Sequence, residues 1–155
     1  MADDRRRNLF DPDAVAEVQR RLQTLRPDSP RQWGTMTPSQ MVVHCARAVE
    51  QALGERRPPR AMIGRVLGWA IKPLALGNDA PMRRNSPTMP ELVVNEEPDL
   101  AAERARLSAL IDRFVAAGPA GCTTHPHGFF GRLTPREWAV LMYKHLDHHL
   151  RQFGV

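Results

Sequence analysis

"TPREWAVLMYKHLDHHLRQFG", residues Thr134 to Gly154, opens on a capping signal and closes on a glycine. Thr134 precedes Pro135, and Glu137 follows three residues after the threonine. In that arrangement the threonine and glutamate side chains satisfy each other's backbone N–H groups at a helix start. The stretch therefore predicts a helix over about 135–152. Trp138, Met142, His145, His149 and Gln152 recur every three or four residues, so they form one continuous stripe on it.

Working outward, the same signature precedes a second helix. Thr37, Pro38 and Gln40 form a capping box before "MVVHCARAVEQALG", and Gly54 marks the stop, predicting a helix over about 38–53. The two starts echo each other: "WGTMTPSQM" (33–41) and "FGRLTPREW" (130–138) share an aromatic-glycine pair ahead of the Thr-Pro box. Two good helix starts would explain the boxes alone. The added aromatic-glycine match suggests two similarly docked starts.

Asp11 and Pro12 cap a helix over about 12–26, with Val15, Val18, Leu22 and Leu25 on one face. Asp99 caps another that places Leu100, Leu107, Leu110, Ile111 and Phe114 on its apolar side before Gly118 ends it. "RAMIGRVLGWAIKPL" (60–74) is apolar on several sides, which predicts a shorter, well-buried helix that Pro73 ends or kinks. From Pro73 to Pro98 the chain holds five prolines, both ends included, and little periodicity, the pattern of a surface-wrapped loop, a lid or a linker, the first being the simplest reading. "ELVV" (91–94) is the one strand candidate. The fold class expected is all-α: a four-helix bundle with a short additional helix and a long proline-rich crossing loop, in one domain over 1–155 whose first ten residues are frayed.

Bulk composition narrows the function. The chain has 155 residues, 42% hydrophobic and 25% charged, which suits one globular core. All but two of its 22 basic residues are arginine, and the net charge is +5. These arginines are scattered, only Arg5–Arg7 forming a run, and aromatics are 6%, so no nucleic-acid partner is expected. No apolar run approaches the roughly 20 residues of a membrane span, and no apolar core follows the basic start, so no membrane partner and a cytoplasmic location are expected. Cys45 and Cys122 form no metal motif and are expected as free thiols.

On a helix, residues four apart stack on one face, so His145 and His149 can aim at one point. His148 is turned about 100° from His149, although His145 with His148 is a rival pairing. Two ligands make a weak site, because zinc and its neighbours take four or more donors. His44 supplies a third, standing mid-helix where a bundle ordinarily carries an apolar residue; a hydrogen-bonded core histidine is the plainer reading for it alone. Gln152, Trp138, Met41, His125 and His148 are candidates to line the site. His125 and His127 belong to a loop that either reaches the bundle mouth or simply covers the surface. Asp147 points away from the pair and toward Arg151, four residues on, as a structural ion pair.

"WGTMTPSQMVVHC", "HPHGFFGRLTPREW" and "YKHLDHHLRQFG" together resemble the DinB/YfiT-like superfamily, and more narrowly a branch of it known as a domain of unknown function. The likeness runs from about Trp33 to Gly154. Members are helical bundles with a three-histidine metal site, one histidine on the second helix and an HxxxH pair on the last. The resemblance therefore implies His44, His145 and His149 as ligands of one divalent metal ion, zinc or nickel, with positions left for water or substrate.

Its relatives include transferases and isomerases that use low-molecular-weight thiols. This implies a small-molecule substrate with such a thiol, hence a metal-dependent thiol (S-)transferase, and allows a homodimer. A non-catalytic metal-binding or stress-associated protein is the alternative class, and a metal-dependent hydrolase the second. The hydrolase reading lacks its usual partner, since the position a protease gives to a glutamate general base is Leu146.

Overall fold

The computed structural model describes residues 6–155. Five helices follow one another: α1 (Pro12–Thr24), α2 (Pro38–Ala52), α3 (Met62–Leu76), α4 (Leu100–Ala117) and α5 (Pro135–Gln152), with 3-10 turns at Pro90–Leu92 and Pro119–Gly121. No strand occurs among the described residues. α2 packs on both α4 and α5, and α1 closes the ring by packing on the same two helices. The result is an all-α bundle of four with α3 outside it.

Each helix starts where its cap residue stands. Asp11 accepts from the Asp13 N–H, Asp99 from that of Ala102, and both Thr37 and Thr134 complete their boxes with Gln40 and Glu137. Gly118 ends α4 at φ +63°. The core fills the bundle axis with Leu22, Met41, Val49, Ile111, Phe114, Trp138 and Leu150, all buried. Phe10 stacks on Phe114 with centroids 5.3 Å apart.

The echo between the two Thr-Pro starts is a real structural repeat. Gly34 and Gly131, the glycines of the two aromatic-glycine pairs, take φ +78° and +77°. Left-handed backbone is cheap only for glycine, so each pair turns the chain into its capping box by the same device.

Three local expectations are corrected. α3 has 15 residues, as many as α2, and runs through Pro73 to Leu76. It is mostly exposed rather than buried, because Gly64 and Gly68 turn its narrow side to the protein, where any Cβ would collide with the carbonyl of Phe129. A proline breaks a helix by removing one N–H bond and crowding the preceding turn, and near the last turn of an outer helix that cost is small enough to absorb. "ELVV" forms no strand; Pro90–Leu92 is a 3-10 turn, since no second strand is there to pair with it. The expected frayed start falls partly on residues 1–5, outside the described residues; beyond them Asn8 and Leu9 are buried, the Leu9 N–H donating to the Ala139 carbonyl at 3.1 Å.

Candidate metal centre

α2 and α5 place His44, His145 and His149 together, with one ring nitrogen from each within 4.8 Å of the others. The three rings make a nearly equilateral triangle: centroid separations are 4.8 Å for His44–His145, 4.6 Å for His44–His149 and 4.7 Å for His145–His149. The four-residue spacing on α5 brings its two rings over one point. The α2–α5 packing then brings His44 to meet them.

Hydrogen bonds fix which nitrogens face inward. His44 Nδ1 lies 3.0 Å from the Leu92 carbonyl. A carbonyl only accepts, so Nδ1 carries the proton and Nε2 keeps its lone pair. Gln152 Nε2 donates to the Trp33 carbonyl at 2.9 Å, which orients that amide and leaves its Oε1 to accept from His149 Nδ1 at 2.8 Å. His149 is thereby set in the same tautomer as His44. Supports of this kind, holding the far nitrogen of a ring, are what metal-binding histidines use to fix ring direction and basicity.

His145 carries the remaining question of fit. Its Nε2 stands 2.9 Å from His44 Nε2, and its Nδ1 is buried with no partner. With the proton on Nε2, the ring serves His44 and strands a buried acceptor. With the proton on Nδ1, two lone pairs face each other across a hydrogen-bond distance, a repulsion that a shared cation relieves. The donor set, three imidazoles with one ring nitrogen each turned to a common point, could hold one metal ion.

The rings are also held neutral. Burial, with the charges of His149 and His44, keeps His145 well below the ordinary histidine range, and burial with His44 pushes His149 down to about 3. His44 is lowered by burial too. Neutral imidazole is the ligand form, so no proton has to leave at neutral pH for an ion to bind.

The proline-rich crossing covers this cluster. Leu92 supplies the carbonyl on His44, and the Arg84 guanidinium lies 4.1 Å from the Trp33 ring centre. Trp33 in turn sits 5.3 Å from the His148 ring. His148 is therefore part of the wall and stands outside the triad. Neither the cavity of about 460 Å³ lined by Trp69, Lys72, Phe130 and Glu137 among others nor a smaller one beside Tyr143 and Lys144 includes any of the three histidines.

The other candidates divide. Gln152 holds His149, as its place on the stripe suggests. Trp138 is buried with an unpaired Nε1, and Met41 packs against Cys45, Sδ to Sγ 3.7 Å. His125 spends its Nε2 on the Pro58 carbonyl at 2.9 Å. His127 is the more telling loop residue: its Nδ1 accepts from both the Phe129 and Phe130 N–H groups at 3.1 Å, and its ring stands 5.6 Å from that of Trp138. Sequence reasoning missed the carbonyls of Leu92 and Trp33, because a backbone oxygen leaves no side-chain signature. Asp147 accepts from Arg151 at 2.9 Å and from Arg21 at 2.7 Å, as a structural pair would.

A family model, "Protein of unknown function (DUF1569)", matches residues 4–154, nearly the whole chain. The chain belongs to the DUF1569 family. No curated protein and no solved structure matches it. For this DUF1569 chain the family gives no activity, so the chemistry has to be argued from the triad. Among the described residues no carboxylate or thiol joins the three histidines.

Proposed function

We propose that this chain is a divalent-metal-binding protein of the DinB/YfiT-like superfamily, acting as a metal-dependent transferase that joins a low-molecular-weight thiol to a small electrophile. The observation that carries the reading is the pair of lone pairs: His44 and His149 each donate Nδ1–H to a fixed oxygen, which leaves Nε2 of each ring unprotonated, that of His44 2.9 Å from His145 Nε2. His44, His145 and His149 would hold one zinc or nickel ion. Such an ion, when bound, lowers the pKa of a thiol and holds the thiolate beside an electrophile.

The chain's own groups divide the remaining work. Gln152 and the Leu92 carbonyl orient two of the rings. Hydrolysis is the weaker enzyme reading, since Leu146 is buried beside His145 and Asp147 is spent on Arg21 and Arg151. A non-catalytic metal-binding role is the second reading, and what supports it is the proline-rich crossing, which lies over the histidines with the Leu92 carbonyl on His44.

Elemental analysis of the purified protein tests the metal. One ion per chain, lost in His44→Ala and in the His145→Ala, His149→Ala double variant, is expected; no stoichiometric metal, or metal kept by the double variant, defeats the reading. Consumption of thiols with electrophilic partners, lost in His44→Ala, then supports the transferase. A fully metallated protein inert toward all such pairs supports the binding role.

A further inference from the structure

α3 is the helix whose placement departs most from what its composition suggests. Gly64, Gly68 and Leu76 are buried against the body of the protein, while Met62, Ile63, Val66, Leu67, Trp69 and Leu74 are exposed, Trp69 at 76% and Met62 at 75%. At about 100° per residue these six fill an arc of roughly 160°. The other positions within that arc are an alanine and a proline, so it carries no polar side chain. A monomer seldom leaves so continuous an apolar face in water. The Trp69 N–H donates to the carbonyl of Val66 at 3.0 Å, so the indole needs no outside partner and presents its ring.

Charge and shape say what covers this face. From Arg56 to Arg84 the chain carries seven basic residues and one acid, Asp79. Arg65 stands at the edge of the arc, Arg57 precedes the helix, and Arg132 lies beside it, its carbonyl accepting from Lys72 at 3.0 Å. All three are exposed and have no ion pair among the described residues. Two copies meeting face to face across α3 would bring these like charges together. The face is also a convex ridge, which another protein must match with a groove, whereas a lipid interface accommodates it as it is.

We infer that α3 docks on an anionic phospholipid bilayer, lying flat with its apolar arc in the interface and Arg57, Arg65 and Arg132 against the lipid phosphates. No helix of the described residues is long and apolar enough to cross a membrane, and none needs to: a surface-lying helix with a tryptophan in its apolar arc and arginines at its margin is a distinct mode of attachment. The expectation of no membrane partner rested on the lack of a span. It did not address a helix lying on the surface. The inference is independent of the histidines.

Co-sedimentation of the full chain with phosphatidylcholine vesicles, with and without phosphatidylglycerol, tests it. Binding at least about tenfold tighter to the anionic vesicles, weakened by salt, is expected. Val66→Asp, at a position 66% exposed, should abolish binding with the helical circular dichroism unchanged, and the Arg65→Glu, Arg132→Glu variant should lose the preference for anionic lipid. Protein that stays in the supernatant with both vesicles overturns the inference, as does binding that survives Val66→Asp. A dimer that Val66→Asp takes apart, without lipid binding, assigns the face to a second copy and overturns it equally.

Discussion

His149 and Gln152, one turn apart on α5, are locked together: the imidazole Nδ1 donates to the amide Oε1 at 2.8 Å, and the amide nitrogen is tied to Trp33 at 2.9 Å. Ring direction in the triad therefore depends on a residue that touches no ion. Gln152→Leu keeps the volume and the burial but leaves the His149 N–H without an acceptor. Metal affinity, read by competition with a chelator, should fall by about 10- to 100-fold. The unpaired buried donor should cost the protein about 1–3 kcal/mol in urea unfolding. Unchanged affinity would mean that His149 is oriented by packing alone.

Asp147 lies between two of the histidines in sequence yet faces the opposite way, receiving Arg151 and Arg21. Asp147→Ala leaves Arg21 with Glu17 at 3.1 Å and the Val155 carbonyl at 2.9 Å, so its charge is not stranded. The expected loss is about 2 kcal/mol, below what an orphaned buried charge costs. Metal content should stay at the wild-type value. A loss of metal in a folded Asp147→Ala protein would move this carboxylate from scaffold to site.

Helix starts and the triad were legible because both are written in side chains at fixed spacing. Asp11, Thr37, Asp99 and Thr134 mark their caps, and the four-residue spacing sets His145 beside His149, while His44, which the family resemblance implied, meets them through the packing of α2 on α5. The exposure of α3 was not legible, because a sequence apolar on several sides does not state which of them faces the protein. Two glycines, Gly64 and Gly68, decide which side approaches the protein, and they do so by close contact with Phe129, a partner 65 residues from Gly64 in the chain. The roof over the histidines was hidden for a related reason: it is made largely of backbone, the Leu92 carbonyl above all.

Acid should weaken the metal-free protein. Burial, aided by Arg60, pushes His127 down to about 4, and burial pushes His149 to about 3. In the unfolded chain both titrate near 6.5, so between pH 6.5 and about 4 the unfolded state binds more protons than the folded one. Stability from these rings is thus whole above pH 6.5 and falls as the pH drops toward the folded values. For His127 the span corresponds to on the order of 3 kcal/mol. His127→Asn keeps an acceptor for the Phe129 and Phe130 N–H groups and cannot take up a proton. Urea midpoints of the chelated protein between pH 7 and 4.5 should decline less steeply in this variant; equal slopes would show that His127 is already open to water.

The two positive-φ glycines give a matched pair. Gly34→Ala and Gly131→Ala impose the same left-handed backbone on alanine, φ +78° and +77°, and each should cost about 1–2 kcal/mol for that reason. Their surroundings differ. A methyl at Gly34 runs into Gln152 Nε2, whereas one at Gly131 runs into the Arg60 guanidinium. Gln152 must then move, and it takes the support of His149 with it. Both variants should unfold at similarly lowered denaturant, while only Gly34→Ala should bind metal more weakly, by about tenfold. Equal affinities would show that Gln152 finds a second way to hold the ring. Weaker binding in both would trace to the shared loss of stability, and the restraint on His149 would no longer be distinguishable from general loosening of the bundle.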